Sequence, residues 1–256
     1  MLDFSYENFI SRNYLYINQE LQSRISKIKL VFLGTGLSSN IALQCVRLGV
    51  LNFYLCDGDK VELSNLNRQI FKFADIGSFK TKVLEKNILE INPNCNISIS
   101  TTYIQRIDEI KKQIDDSDII INTLDCNQIY FDVIEYGRSK NKLIICPFNP
   151  GFAGLIICFS HNSSSCWEVF DKKEVLNDFE ISKQLFLKYP EIASFIPAEI
   201  SIDEFLMYAQ NYYFPQISIG AAIVTAMTLT SIIKFFKKEP LKLAPDIFYL
   251  NSYYFI

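Results

Sequence analysis

The stretch that most restricts how this chain can fold is residues 29–40, KLVFLGTGLSSN, where a short apolar run breaks into Gly34-Thr35-Gly36 and a small-residue helix start. Val31, Phe32 and Leu33 are too few for a helix and lie between basic and glycine residues, which predicts a buried strand. Gly34 and Gly36 let the backbone turn tightly and approach a phosphate, whose charge would sit at the positive N-terminus of the next helix. Ser39 stands where a third glycine is usual; its small side chain still permits close helix–strand packing, and it is counted with Gly34 and Gly36 among the expected nucleotide-binding residues. An ordinary strand–turn–helix corner could carry the same triplet, so the residues beyond it have to decide. Residues 41–49, IALQCVRLG, have an amphipathic helical pattern closed by Gly49, and residues 51–56 form a second strand ending at Asp57. This acid lies about 21 residues beyond Gly36, where a βαβ nucleotide unit keeps its ribose-binding carboxylate.

The alternation continues. Asp57-Gly58-Asp59-Lys60 is a turn, and VELSNLNR, residues 61–68, is a polar stretch that no secondary-structure pattern explains. A helix is expected from about Lys80 to Ile91, stopped by Asn92-Pro93, and a strand over 96–102. Then come a helix over 104–115, a strand over 118–124 ending at Asp125, a helix over 128–138 and a strand over 143–146. Such a pattern implies an α/β fold: a Rossmann-like, mostly parallel sheet with helices on both faces. Gly34, Asp57 and Asp125 all fall at strand carboxyl ends and should converge on one crevice.

From Pro147 the texture changes. FNPGFAGLIICF suggests a hairpin or a strand after a bend, residues 161–167 a polar loop, and the charged and aromatic residues 168–215, broken by Pro190, Pro197 and Pro215, a lid or partner-facing segment. An apolar helix over 217–236 is expected to return to the core and residues 247–250 to add a last strand, giving a C-terminal extension of antiparallel strands. The chain then divides into an N-terminal helical arm (1–28), a nucleotide-binding part (29–150) and a substrate- or partner-facing part with the returning helix (151–256), within one integrated domain.

Composition narrows the function. A net charge of −3 and no long Lys/Arg cluster exclude a nucleic-acid partner. Residues 217–236 are long enough to span a bilayer, but Ser218, Thr225, Thr228, Thr230, Ser231 and Lys234 interrupt them, so a core helix is expected and no membrane association. Seven cysteines, an odd number, with no secretory leader in MLDFSYENFI, point to free thiols and a cytoplasmic location.

LGTGLSS, LCDGDKVELSNLNRQ and DIGSFKTKVLEKNILEINP, in this order and spacing, resemble the ThiF/MoeB/HesA family, bacterial relatives of ubiquitin-activating enzymes. The similarity covers about residues 8–150 and returns more weakly at 215–236. It implies an ATP- and Mg²⁺-dependent adenylyltransferase that activates the C-terminal carboxylate of a ubiquitin-like or sulfur-carrier protein, or of a peptide, and releases pyrophosphate. By this resemblance Asp57 would bind the ribose, Asp59 and Asn65 would shape the phosphate end, and Arg68, Gln69 and Lys80 would contact phosphates. Arg12, in FISRNYL, aligns with an N-terminal arginine that reaches into a partner subunit's site, which implies a homodimer. Arg and Lys suit this task because a carboxylate attacking a triphosphate brings two anions together. No protein base is needed, since the nucleophile is already ionised; the one histidine, His161, lies in a Ser-rich loop.

The chain also departs from the family pattern. Where relatives carry D-C-x-D it has Asp125-Cys126-Asn127-Gln128, so a neutral amide replaces the second, metal-binding carboxylate and Asp125 is left as the Mg²⁺ candidate. The paired C-x-x-C motifs of a zinc site are missing, so no zinc is expected. Cys166 is the best-placed thiol for passing on an acyl group, against its simpler reading as an ordinary loop cysteine. Gln128 leaves open a weakly active or inactive homologue that binds nucleotide or peptide or serves as a heterodimer subunit. A plain dinucleotide oxidoreductase would account for Gly34, Gly36 and Asp57 but not for SNLNRQ or Lys80.

Overall fold

The computed structural model describes residues 4–170 and 177–254; the ends of the arm and of the last segment, and 171–176 within the aromatic segment, lie outside the described residues. One seven-stranded sheet, in the order β3-β2-β1-β4-β5-β6-β7, organises the chain. Its strands are β1 (Lys29–Leu33), β2 (Asn52–Cys56), β3 (Asn96–Ser100), β4 (Ile119–Asn122), β5 (Leu143–Phe148), β6 (Ala153–Phe159) and β7 (Phe248–Asn251). The first five run parallel, with Val31 level with Tyr54 on one side and Ile120 on the other. β6 and β7 are antiparallel additions, so the C-terminal residues extend the same sheet.

The helices are α1 (Tyr6–Phe9), α2 (Gln19–Lys27), α3 (Ser38–Leu48), α4 (Lys80–Ile91), α5 (Lys111–Asp115), α6 (Gln128–Ser139), α7 (Cys166–Val169), α8 (Asp178–Lys188), α9 (Ile202–Asn211) and α10 (Ser218–Lys237). Both sheet faces are covered, which is why β4 is buried at every position and shows no polar alternation. Leu30, Phe32, Ile119, Ile121 and Ile145 face one core with Ile25 of α2, Cys45 of α3 and Met227 of α10. Val31, Leu33, Ile120 and Ile144 face the other, with Phe131 and Ile134 of α6 and an aromatic cluster from the 166–214 segment.

Two expected elements differ. Residues 104–115 form a 3-10 turn, Ile107–Glu109, followed by the short α5. Only Ile104, Ile110 and Ile114 bury their side chains, too few for a continuous apolar stripe. The 161–167 loop ends early because Ser165 and Glu168 make a reciprocal capping box that starts α7 at Cys166.

α10 is long and apolar enough to cross a membrane by composition, and here it lies on β6 and α3. Thr225, Thr228 and Ser231 each donate a hydroxyl to the carbonyl four residues back, so polar side chains enter the core already satisfied; exposed Thr230 makes the same bond on the outer face. Gly220 sets how closely it can approach: a Cβ there would meet the carbonyl oxygens of Gly151 at 2.6 Å and Ala153 at 2.8 Å. Gly220→Ala would gain ~1 kcal/mol of helix propensity, but the clash is with backbone that cannot yield. We expect a net loss of ~1–3 kcal/mol in urea unfolding, against little change for Ala222→Ser at an exposed position of the same helix.

Candidate nucleotide site

A cleft of about 690 Å³ opens beyond the carboxyl ends of β1, β2, β3 and β4 and is lined by Gly34, Gly36, Asp57, Asp59, Asn65, Arg68, Gln69, Lys80 and Asp125. Residues more than ninety positions apart meet there because every parallel strand delivers its following loop to the same edge. Gly34 has φ +79, and a Cβ on it would lie 2.5 Å from the Thr123 carbonyl oxygen, so neither the turn nor the approach to β4 tolerates another residue. The N–H groups of Gly36 and Leu37 have no hydrogen-bond partner among the described residues and sit at the start of α3, a favourable arrangement for an anion.

Asp57 fastens this loop. Its Oδ2 accepts from the Thr35 N–H at 2.6 Å and the Thr35 hydroxyl at 3.0 Å, and its Oδ1 from the Asp59 N–H at 2.8 Å. A carboxylate offers about four acceptor positions, so one remains on Oδ1 for a ligand hydroxyl. Ser39 does not line the cleft; it is buried, and its hydroxyl donates to the Gly36 carbonyl at 2.6 Å while that of Ser38 donates to Gly34. Its part is to hold the loop from beneath, a correction to its expected place among the ligand-binding residues. Asn65 is buried and accepts the Glu62 N–H at 3.0 Å, giving the SNLNRQ stretch a 3-10 turn, Leu63–Asn65.

The two cations differ in kind. Lys80, 7% exposed at the first position of α4, donates its Nζ to Asp59 Oδ2 at 2.7 Å. Burial raises the Asp59 carboxyl, but the hydrogen bonds from Lys80 and from the Tyr103 hydroxyl, with the Lys80 charge, outweigh it and hold the group below its ordinary value. Arg68 has only neutral partners: Nε donates to Gln216 Oε1 at 2.6 Å and Nη1 to the Ser64 carbonyl at 2.8 Å and Asn67 Oδ1 at 2.7 Å. Burial lowers its pKa, and no carboxylate among the described residues offsets its charge. A half-buried guanidinium fixed by neutral oxygens, with Nη2 still to donate, is a preformed anion receptor. Gln69 lies over the loop, its Nε2 3.1 Å from where a Cβ on Gly36 would be, and its buried Oε1 is unpartnered among the described residues.

Asp125 lines the cleft beside Gln128, whose Nε2 donates to Asp132 Oδ1 at 2.6 Å, so its amide oxygen is the atom it can offer to a cation. No group of three or more His, Cys, Asp or Glu suited to a metal occurs among the described residues. One carboxylate and one amide oxygen suit a magnesium ion brought in on substrate phosphates, not one held by protein alone. Arg12 is exposed in a 3-10 turn, Ser11–Asn13, and does not line its own chain's cleft. The arm is pinned at the far end of α3, where Tyr6 donates its hydroxyl to the Gly49 carbonyl and Asn13 its amide to Leu48. Cys166 is not a loop thiol: it is fully buried, and burial and then the neighbouring Glu135 push its pKa well above the ordinary value, so it presents no nucleophile.

Gln216 and Tyr103 are not legible as site residues in the sequence. Gln216 lies 148 positions from the arginine it orients, with no local signal. Tyr103 follows β3 at its carboxyl end, and that position alone could mark it. The Asp59 carboxyl is lowered on folding, so the stability it contributes is present above the unfolded-state value and lost as pH falls through the folded one. Asp59→Asn should therefore cost ~1 kcal/mol near pH 7 in urea unfolding, with the difference from the native protein shrinking below about pH 4.

Comparison with known proteins agrees with this geometry. The chain is 37% identical over 156 residues to a probable molybdopterin-synthase adenylyltransferase of Porphyra purpurea, covering 60% of this chain and 41% of that protein. It is 32% identical over 135 residues to the sulfur carrier protein ThiS adenylyltransferase of Escherichia coli, covering 52% of each. The chain spans about half the length of the curated relatives it matches. Two solved structures share the fold: PaaA, with a TM-score of 0.71 at 20% identity over 100% of this chain and 82% of that one, and Escherichia coli MccB with ATP, with a TM-score of 0.68 at 19% identity over 98% and 73%. The ThiF family model matches residues 10–255, and this chain, with its glycine loop, Asp57 and Arg68 gathered at one sheet edge, belongs to that family.

Proposed function

We propose that the protein adenylates the C-terminal carboxylate of a peptide or small protein, using ATP and releasing pyrophosphate. The observation that carries this reading is Arg68, a guanidinium held in the cleft by neutral oxygens with its charge uncompensated among the described residues. The names of the relatives, a probable molybdopterin-synthase adenylyltransferase and a sulfur carrier protein ThiS adenylyltransferase, support the class of reaction. In the proposed step a substrate carboxylate oxygen bonds to the α-phosphorus as the bond to the bridging oxygen of pyrophosphate breaks, and that oxygen keeps the electron pair. Charge grows on the departing pyrophosphate, and Arg68 and Lys80 stabilise it. Lys80 must share itself between Asp59 and phosphate, whereas Arg68 is already free to donate. The ribose would take the acceptor position left on Asp57. A magnesium ion carried on the phosphates would be held by Asp125, with the Gln128 oxygen, and would neutralise phosphate charge.

We further propose that the protein works as a homodimer in which Arg12 completes the partner's cleft. In support, Arg12 is exposed and without a role in its own cleft, and beside it Tyr14, Leu15 and Tyr16 are exposed, Leu15 completely. The reading of a weakly active homologue rests on Gln128, whose Nε2 donates to Asp132, and on the missing paired C-x-x-C motifs. Exchange of labelled pyrophosphate into ATP separates the two, since it requires a reversible adenylate and a silent homologue gives none with any carboxylate.

In that assay Arg68→Ala and Lys80→Ala should each lower the rate ~100-fold or more, the scale of losing one charge-stabilising donor. Near-normal exchange in either variant would refute the phosphate assignment. Arg12→Ala protein, inactive alone, should regain partial activity when mixed with Arg68→Ala protein, because one cleft of the hybrid keeps both arginines; failure to regain it would refute the shared site.

A further inference from the structure

A second cavity, of about 170 Å³, adjoins the nucleotide cleft. The two share Leu37, Thr123, Leu124, Asp125 and Gln216 as a common wall. Its far side is apolar, made by Leu155 of β6 and by Phe186, Phe195 and Phe214, whose rings pack in tilted contact, Phe195 between the other two. Asn149, just beyond β5, lines the same cavity at 3% exposure, and both its Nδ2 and Oδ1 lack a hydrogen-bond partner among the described residues. Buried amides are seldom left unpaired, so this one calls for a ligand that supplies both an acceptor and a donor. An apolar pocket with one convergent polar group is the usual form of a recognition site, and a cavity of this size holds a ring as large as benzene.

We propose that this cavity receives the side chain of the substrate's last residue, and that Asn149 pairs with the C=O and N–H of the peptide unit next to it. The proposal rests on the adenylation reading and names its substrate class: a chain ending in a large apolar residue, leucine- or phenylalanine-like, not glycine. The attacking carboxylate has to lie along the shared wall near Asp125 to reach the α-phosphate. The side chain of that residue leaves from the carbon next to the carboxylate and so reaches the adjoining cavity without stretching. Glycine would leave the phenylalanine cluster unfilled and its contacts unmade.

The test is pyrophosphate exchange with peptide pools randomised upstream and fixed at the last position as Gly, Ala, Leu or Phe, run with the full chain, Asn149→Ala and Ser182→Phe. Ser182 of α8 lines the cavity, so a phenylalanine there fills it. The native protein should use the Leu and Phe pools at least ~10-fold faster than the Gly pool. Asn149→Ala should raise KM for the peptides, and Ser182→Phe should reverse the order in favour of Gly and Ala, a gain that misfolding cannot mimic. Exchange that is equal or faster with the Gly pool overturns the cavity assignment and leaves adenylation standing. Loss of ATP-dependent thermal stabilisation in Ser182→Phe also overturns it, because the cavity would then hold part of the nucleotide. No exchange with any pool overturns the adenylation reading and this assignment together.

Discussion

The site depends on a single carboxylate. Asp57, at the end of β2, accepts from both the backbone and the hydroxyl of Thr35 and from the backbone of Asp59. It thereby joins the glycine loop after β1 to the turn after β2, two segments that share no covalent neighbour. Glycines at 34 and 36 give the loop more freedom to lose on folding than other residues there would, and these hydrogen bonds hold it in the conformation that borders the cleft. Ser38 and Ser39 satisfy the loop's carbonyls from below, so the loop's outward polarity is mainly that of N–H donors.

Charge in the cleft is arranged with the same restraint. One cation, Lys80, is neutralised by Asp59 and so can be buried without the penalty of a lone charge. The other, Arg68, stays half-buried and uncompensated among the described residues, tolerable because three neutral oxygens take the place of water around it. A protein selecting only for stability would have paired both. The unpaired one takes its orientation from Gln216, just ahead of α10, so the returning helix is tied to the cleft at the point where the proposed function has Arg68 meet phosphate.

The residues after β5 supply an aromatic side to the molecule. A cluster of phenylalanines from 186 to 214 packs on the sheet face occupied by α6 and closes the second cavity. Cys166 is drawn into that core, which removes it from chemistry. The proposed division of labour is that the parallel half binds nucleotide while this aromatic half reads what is to be activated.

The order of residues along the chain is enough to give the βαβ unit, the parallel sheet with its antiparallel extension, the burial of 218–237 and the gathering of Gly34, Asp57 and Asp125 at one edge. Each follows from local patterning: apolar runs bounded by glycine or proline, and a rule that parallel strands end on the same side. Ser39 misleads because a motif position says that a small residue is needed without saying whether it faces ligand or core. Cys166 misleads because a run of serines looks like a loop until a capping box turns it into a helix. Packing in three dimensions alone settles which cation is free, which oxygens hold it, and that Asn149 lies dry and unpaired among the described residues beside a pocket. These depend on side chains brought together from up to 148 positions apart, and no periodicity or spacing along a chain records which distant side chain will fill a given direction in space.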